Sequence, residues 1–168
     1  MLVVFSHGKE SGPWGSKITR LANIAKQLGA AVESPDYSQI SNPDARVAHL
    51  LSLVEPTSSL VLVGSSMGGY VSCIASQSLK PAGLFLLAPA IGLEGYSLQQ
   101  PEPGSDNIEI VMGWRDEAVP VQNVINFSMK YKTRLHLLDS DHRLNDVLAE
   151  VGAIFKSFLL RIIDKNND

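Results

Sequence analysis

At 168 residues, 45% of them hydrophobic and 18% charged, the chain is long enough to bury one sizeable core and too apolar to be disordered or collagen-like. A net charge of −3 without any basic block argues against a nucleic-acid surface, and no apolar run reaches the length needed to cross a bilayer. Leu2 to Phe5 runs straight into polar His7 and Gly8 rather than into a secretory signal, and the lone Cys73 can close no internal disulfide, so a single cytoplasmic domain over residues 1–168 is expected.

Residues 2 to 6 are a compact apolar run that reads as a strand. Residues 16 to 28 then place Ile18, Leu21, Ile24, Ala25 and Leu28 on one helical face before Gly29. The alternation continues with a weak strand at 31 to 34, a helix at 43 to 54, a strand at 59 to 63 and a helix at 67 to 79, in which Cys73 reads as a packing residue. Strands follow at 83 to 88 and 108 to 113, then a helix at 120 to 131, a strand at 134 to 138 and a closing helix at 144 to 163. Pro120 suits the first turn of its helix. Only residues 89 to 107, rich in Pro, Gly, Gln and Ser, break the pattern, as a short cap or a plain surface connection.

Six strands alternating with helices predict an α/β fold, a three-layer α/β/α sandwich whose mainly parallel sheet is covered on both faces. In such sheets ligands bind beyond the carboxyl ends of the strands. His7, Ser66, Asp116 and His142 each follow a predicted strand.

Gly64-Ser65-Ser66-Met67-Gly68 fits G-x-S-x-G at a strand-to-helix junction. Such a turn holds its serine at positive φ and crowds the flanking positions, where Gly64 and Gly68 remove the side chains that would clash. The helix behind it aims N–H groups and a positive dipole end at the place where charge would develop during attack on a carbonyl. A serine nucleophile needs a base and an acid. His142, in the polar loop Asp139 to Arg143 after the last strand, is the candidate base. His49 falls in a helix with solvent exposure and His136 inside a strand. Asp116 is the candidate acid, with Glu117 as its competitor. Asp139 and Asp141 are too near His142 along the loop to face it well.

Ser66, Asp116 and His142 follow the order nucleophile, acid, base. Backbone donors for an oxyanion would come from Met67 and from the loop after the first strand, where the Lys9 N–H is nominated; His7 is read as structural. Trp14, Tyr70, Ile91, Leu93 and Val119 could line an acyl pocket, but ordinary core packing is the favoured role for each.

Through His7-Gly8, Gly64 to Gly69, Gly113 to Pro120 and Asp141-His142, the chain resembles the α/β-hydrolase superfamily over essentially its whole length, and is similar to small bacterial esterases of the YqiA type. The resemblance implies a minimal fold with little or no cap that lacks the two leading strands of the full sheet. It also implies a Ser66–His142–Asp116 triad, no metal and no organic cofactor. Lys9 stands where many relatives carry an apolar or aromatic residue, and its charge would pair with Glu10 or attract an anionic substrate. The expected function is hydrolysis of a small carboxylic ester or thioester through an acyl-enzyme, with a small acyl molecule rather than nucleic acid or membrane as partner. The alternatives are amide hydrolysis or acyl transfer by the same residues, or a binding or regulatory protein that keeps the fold without useful turnover.

Overall fold

The computed structural model describes residues 1–167. Its strands are β1 (Leu2–Ser6), β2 (Ala31–Glu33), β3 (Leu60–Ser65), β4 (Gly83–Leu87), β5 (Ile108–Gly113) and β6 (Arg134–Leu138). The helices are α1 (Ser16–Gln27), α2 (Pro43–Leu53), α3 (Met67–Leu79), α4 (Val121–Tyr131) and α5 (Leu148–Asn167). The strands form one sheet in the order β2-β1-β3-β4-β5-β6, and every neighbouring pair is parallel.

β3, β4 and β5 are buried at every residue, which explains why they are continuous apolar runs instead of alternating ones. From β1 the chain moves outward to β2, then crosses back over β1 to β3 and proceeds in that direction. Right-handed crossovers therefore place α1 and α2 on opposite faces. α1 packs against α5, and α2 against α3. On the α5 side Phe85 meets Phe155 and Phe158 at centroid distances of 5.0 and 5.3 Å, an aromatic knot that ties the last helix to the middle of the sheet.

The reversal of direction makes the β1/β3 boundary a topological switch point. The loops leaving these two strands splay apart and open a crevice at their carboxyl ends. Residues 7–15 and Ser66 emerge there.

Local chemistry sets the boundaries. Asn42 caps α2 by accepting from the Ala45 N–H at 2.9 Å, with Pro43 in the first turn. Two expectations need correction. Pro120 is the N-cap of α4 and lies outside its first turn, with ψ of 120°. α5 begins at Leu148 instead of 144, because the Asp141 carboxylate accepts the Arg143 and Leu144 N–H groups and Leu144 adopts φ of 56°, a turn the helix cannot include.

Residues 89–107 form no helix or strand and act as a strap over α3. The Gly104 N–H donates to Ser76 Oγ at 2.7 Å, Gln77 Nε2 donates to the Glu102 carbonyl at 2.9 Å, and the Leu98 N–H donates to Tyr70 Oη at 3.2 Å.

Candidate active site

Ser66 is the N-cap of α3 with φ of 55° and ψ of −119°, a conformation that costs a non-glycine residue on the order of 1–3 kcal/mol. A Cβ at position 64 would overlap the Gly68 carbonyl, and one at position 68 would overlap the Ser6 carbonyl. Both glycines are therefore required by the turn. It is pinned from outside by the Ser66 N–H donating to the Leu87 carbonyl at 2.9 Å, and by the Ser66 carbonyl accepting from Ala90 at 3.0 Å.

From that turn Ser66 Oγ stands 2.9 Å from His142 Nε2, and His142 Nδ1 stands 2.7 Å from Asp116 Oδ2. The carboxylate fixes the tautomer: Nδ1 carries the proton toward Asp116, which leaves Nε2 to accept from the serine hydroxyl. Asp116 is fully buried. Its second oxygen accepts the Ala118 and Val119 N–H groups at 2.9 and 2.8 Å, so both oxygens are held. Glu117 is exposed and reaches none of these groups. Asp139 pairs with Arg115 at 2.7 Å and Asp141 serves its own loop. The structure thus brings together Ser66, His142 and Asp116, three residues singled out by sequence, while Glu117 stands apart from them.

The other histidines are placed elsewhere. His49 is half-buried against the Tyr37 ring at 5.8 Å, a correction to its expected exposure, and His136 pairs with Glu109 at 2.7 Å near the start of β5, away from the carboxyl end. His7 is completely buried. Its Nε2 accepts the Tyr37 N–H at 2.9 Å, so Nδ1 must be protonated and donates to the Gly8 carbonyl at 2.8 Å. Burial pushes its pKa down.

Met67 and Lys9, the nominated oxyanion donors, both present N–H groups with no acceptor among the described residues. For Lys9 the cause is the peptide that precedes it. The Gly8 carbonyl accepts from His7 Nδ1 and from Arg46 Nη1, and in a trans peptide the following N–H points the opposite way. A Cβ on Gly8 would lie 3.4 Å from Ser66 Cβ, so this peptide runs directly alongside the serine.

Sequence reasoning missed Arg46, which is 2% exposed yet meets no carboxylate. Its guanidinium donates to the Ile40 carbonyl at 2.6 Å and to the His7 and Gly8 carbonyls at 3.2 Å, and lies 5.3 Å from the Tyr37 ring centre. An Arg in an amphipathic helix ordinarily reads as a solvated face. Only the loop folded over it makes it internal.

A cavity of about 510 Å³ opens beside Ser66 and His142. Its apolar lining is limited to Ile18, Tyr96, Ala118 and glycines. None of the five residues nominated for an acyl pocket lines it. Tyr70 and Val119 are core, Leu93 packs against the core, and Ile91 lines a separate cavity of about 290 Å³ with Asn123 and Phe127. Trp14 is half exposed, so neither the pocket nor the core role fits it. Cys73 is buried and its thiol is pushed up to about 12 by that burial, as suits a packing residue. No group of three or more His, Cys, Asp or Glu able to hold a metal occurs among the described residues. No helix among them is long and apolar enough to cross a membrane.

A fully parallel sheet of this order, with a strained serine after β3, an acid after β5 and a histidine after β6, is the arrangement of an α/β hydrolase. A structure from Xanthomonas campestris pv. campestris assigned to that superfamily is 30% identical, with a TM-score of 0.86 over 95% of this chain and 98% of that one. Est1E from Butyrivibrio proteoclasticus, at 19% identity and a TM-score of 0.80 over 97% and 88% of the two chains, shares the fold. So does a lid-less α/β serine hydrolase from Xanthomonas campestris, at 23% and 0.71 over 95% and 81%. No curated protein matches the sequence. The model of the family described as Uncharacterised protein family (UPF0227) matches residues 2–96, which carry the Lys9 loop and Ser66. The chain therefore belongs to the UPF0227 family, within the α/β-hydrolase superfamily.

Proposed function

We propose that this hydrolase cleaves a small carboxylic ester or thioester with Ser66 as nucleophile. The observation that carries the reading is the continuous chain from Ser66 Oγ through His142 to a fully buried Asp116, at 2.9 and 2.7 Å. His142 Nε2 takes the hydroxyl proton as Oγ attacks the carbonyl carbon, and Asp116 stabilises the imidazolium that forms. The tetrahedral oxyanion is met by the Met67 N–H at the start of α3 and by the Lys9 N–H. Each such donor is worth on the order of 2.7–4 kcal/mol in comparable sites. His142 then protonates the leaving alkoxide or thiolate. Water, deprotonated at the same nitrogen, attacks the acyl-enzyme and releases the acid and free Ser66.

The strained φ of Ser66 supports the same reading, since strain of this kind persists where geometry is needed for function. The test is hydrolysis of short acyl esters together with labelling by a serine-directed fluorophosphonate. Turnover and labelling that both vanish in Ser66→Ala are expected. Undiminished turnover in that variant would remove the assignment.

A further inference from the structure

Charge is distributed very unevenly around the Ser66 cavity. The whole chain carries −3, yet the side chains lining this cavity include Lys9, Lys17 and Arg143 against a single acid, Glu10. None of the three cations lies within 4.0 Å of a carboxylate oxygen among the described residues. The nearby acids are otherwise engaged: Asp116 by His142 and two N–H groups, Asp141 by the Arg143 and Leu144 N–H groups.

Lys17 is partly buried and Lys9 and Arg143 are exposed at the rim, so an anion in the cavity would meet three cationic side chains against one acid. Loss of solvation at Lys17 pulls its pKa down to about 8 against the opposing pull of Asp141 and Asp116, so an anion beside it would restore part of what burial removes. The same cavity offers an alkyl chain only Ile18, Ala118 and the Tyr96 ring.

We infer that the substrate carries a negatively charged group, a carboxylate or a phosphate, which Lys17 and Arg143 bind beside Ser66. The inference rests on the reading of Ser66 as nucleophile. It narrows the substrate from esters in general to anionic esters or thioesters.

Two matched substrate pairs test it and separate the position of the charge. 4-Nitrophenyl hemisuccinate against 4-nitrophenyl butyrate places a carboxylate on the acyl side. Acetyl-coenzyme A against S-acetyl-N-acetylcysteamine places phosphates on the leaving group. At low ionic strength, kcat/KM for the anionic member of at least one pair is expected to exceed that of its neutral partner by about tenfold or more. That ratio should shrink as salt is raised toward about 1 M. Lys17→Met and Arg143→Gln should each lower the ratio severalfold, and Lys17→Arg should preserve it. Equal or better turnover of the neutral member in both pairs overturns the inference and leaves the serine-hydrolase reading standing. Absence of turnover on all four substrates, with no fluorophosphonate labelling of folded protein, removes that reading and the inference with it.

Discussion

The two ends of the β5–β6 pair carry the same couple of side chains. At one end His136 meets Glu109 at 2.7 Å, at the other His142 meets Asp116 at 2.7 Å, and in both the carboxylate is buried while the histidine is partly open. What differs is the third partner and the end of the strand. Glu109 lies at the start of β5 and its other oxygen is taken by the Arg161 guanidinium, so a histidine and an arginine share one carboxylate. Asp116 lies past the end of β5, its other oxygen is taken by neutral N–H groups, and its histidine has a strained serine hydroxyl on the far nitrogen. A histidine–carboxylate pair is thus no sign of chemistry by itself. The carboxyl end of the sheet and a nucleophile within reach make it one.

The largest expected effect would break this contrast outright if it failed. Ser66→Ala and His142→Gln should each lower kcat on a short ester by about 10⁴-fold or more with the unfolding midpoint retained, and His136→Gln should leave kcat within about twofold. Comparable losses in the His136 and His142 variants would mean that the two pairs do not differ as described. Within the active pair, Asp116→Asn is expected to cost about 10²- to 10⁴-fold, because an amide can hold the imidazole in the wrong tautomer. Glu117→Gln, exposed and out of contact, should change kcat less than about twofold.

Much of this was legible in the sequence because each feature has a local cause. The helix at 67 to 79 and the strand at 108 to 113 have the bounds expected of them, and the Ser66 turn announces itself because nothing larger than glycine fits at positions 64 and 68. Where the outcome depends on which neighbour folds back, the sequence is silent. Asp116 and Glu117 are adjacent carboxylates, and only the path of the Ala118 and Val119 backbone selects one of them. Arg46 is internal only because the loop after β1 passes over it, and the start of α5 yields to the Asp141 turn. Core packing, the favoured reading for the five apolar residues that could also have lined an acyl pocket, holds for Tyr70, Ile91 and Val119, while Trp14 stays half exposed.

Next in size come the buried charges, which sharpen the contrast by measuring stability instead of turnover. Arg46→Met removes the donors to three carbonyls and should cost about 2–4 kcal/mol in urea unfolding, with a further fall in kcat because the Gly8–Lys9 peptide loses its anchor. Glu109→Gln should cost less, about 1–3 kcal/mol, since Arg161 and His136 are each more than a third exposed and water can take over part of the lost interaction. Its kcat should not change. An Arg46 variant with full stability would show that the loop does not need this brace.

The smallest effect concerns His7, a histidine with no hydrogen-bonded carboxylate and therefore the reference for the other two. Burial lowers its pKa below the ordinary value of 6.5, while in the unfolded chain it titrates normally. Below pH 6.5 the unfolded chain therefore binds more protons at this residue than the folded one, and stability must fall as the pH drops through that window. Asp36, 3.8 Å from Nε2, cannot reverse the sign, because it is exposed and Nε2 is already occupied by the Tyr37 N–H. The slope contributed by one such proton is at most about 1.4 kcal/mol per pH unit. His7→Gln keeps a donor and an acceptor but cannot titrate, so urea unfolding followed from pH 7.5 to 5 should show a shallower acid loss in the variant than in the wild type. Identical slopes would mean that His7 takes up its proton in the folded state as readily as in the unfolded one, and that its ring does not hold the Gly8 carbonyl in the neutral form described.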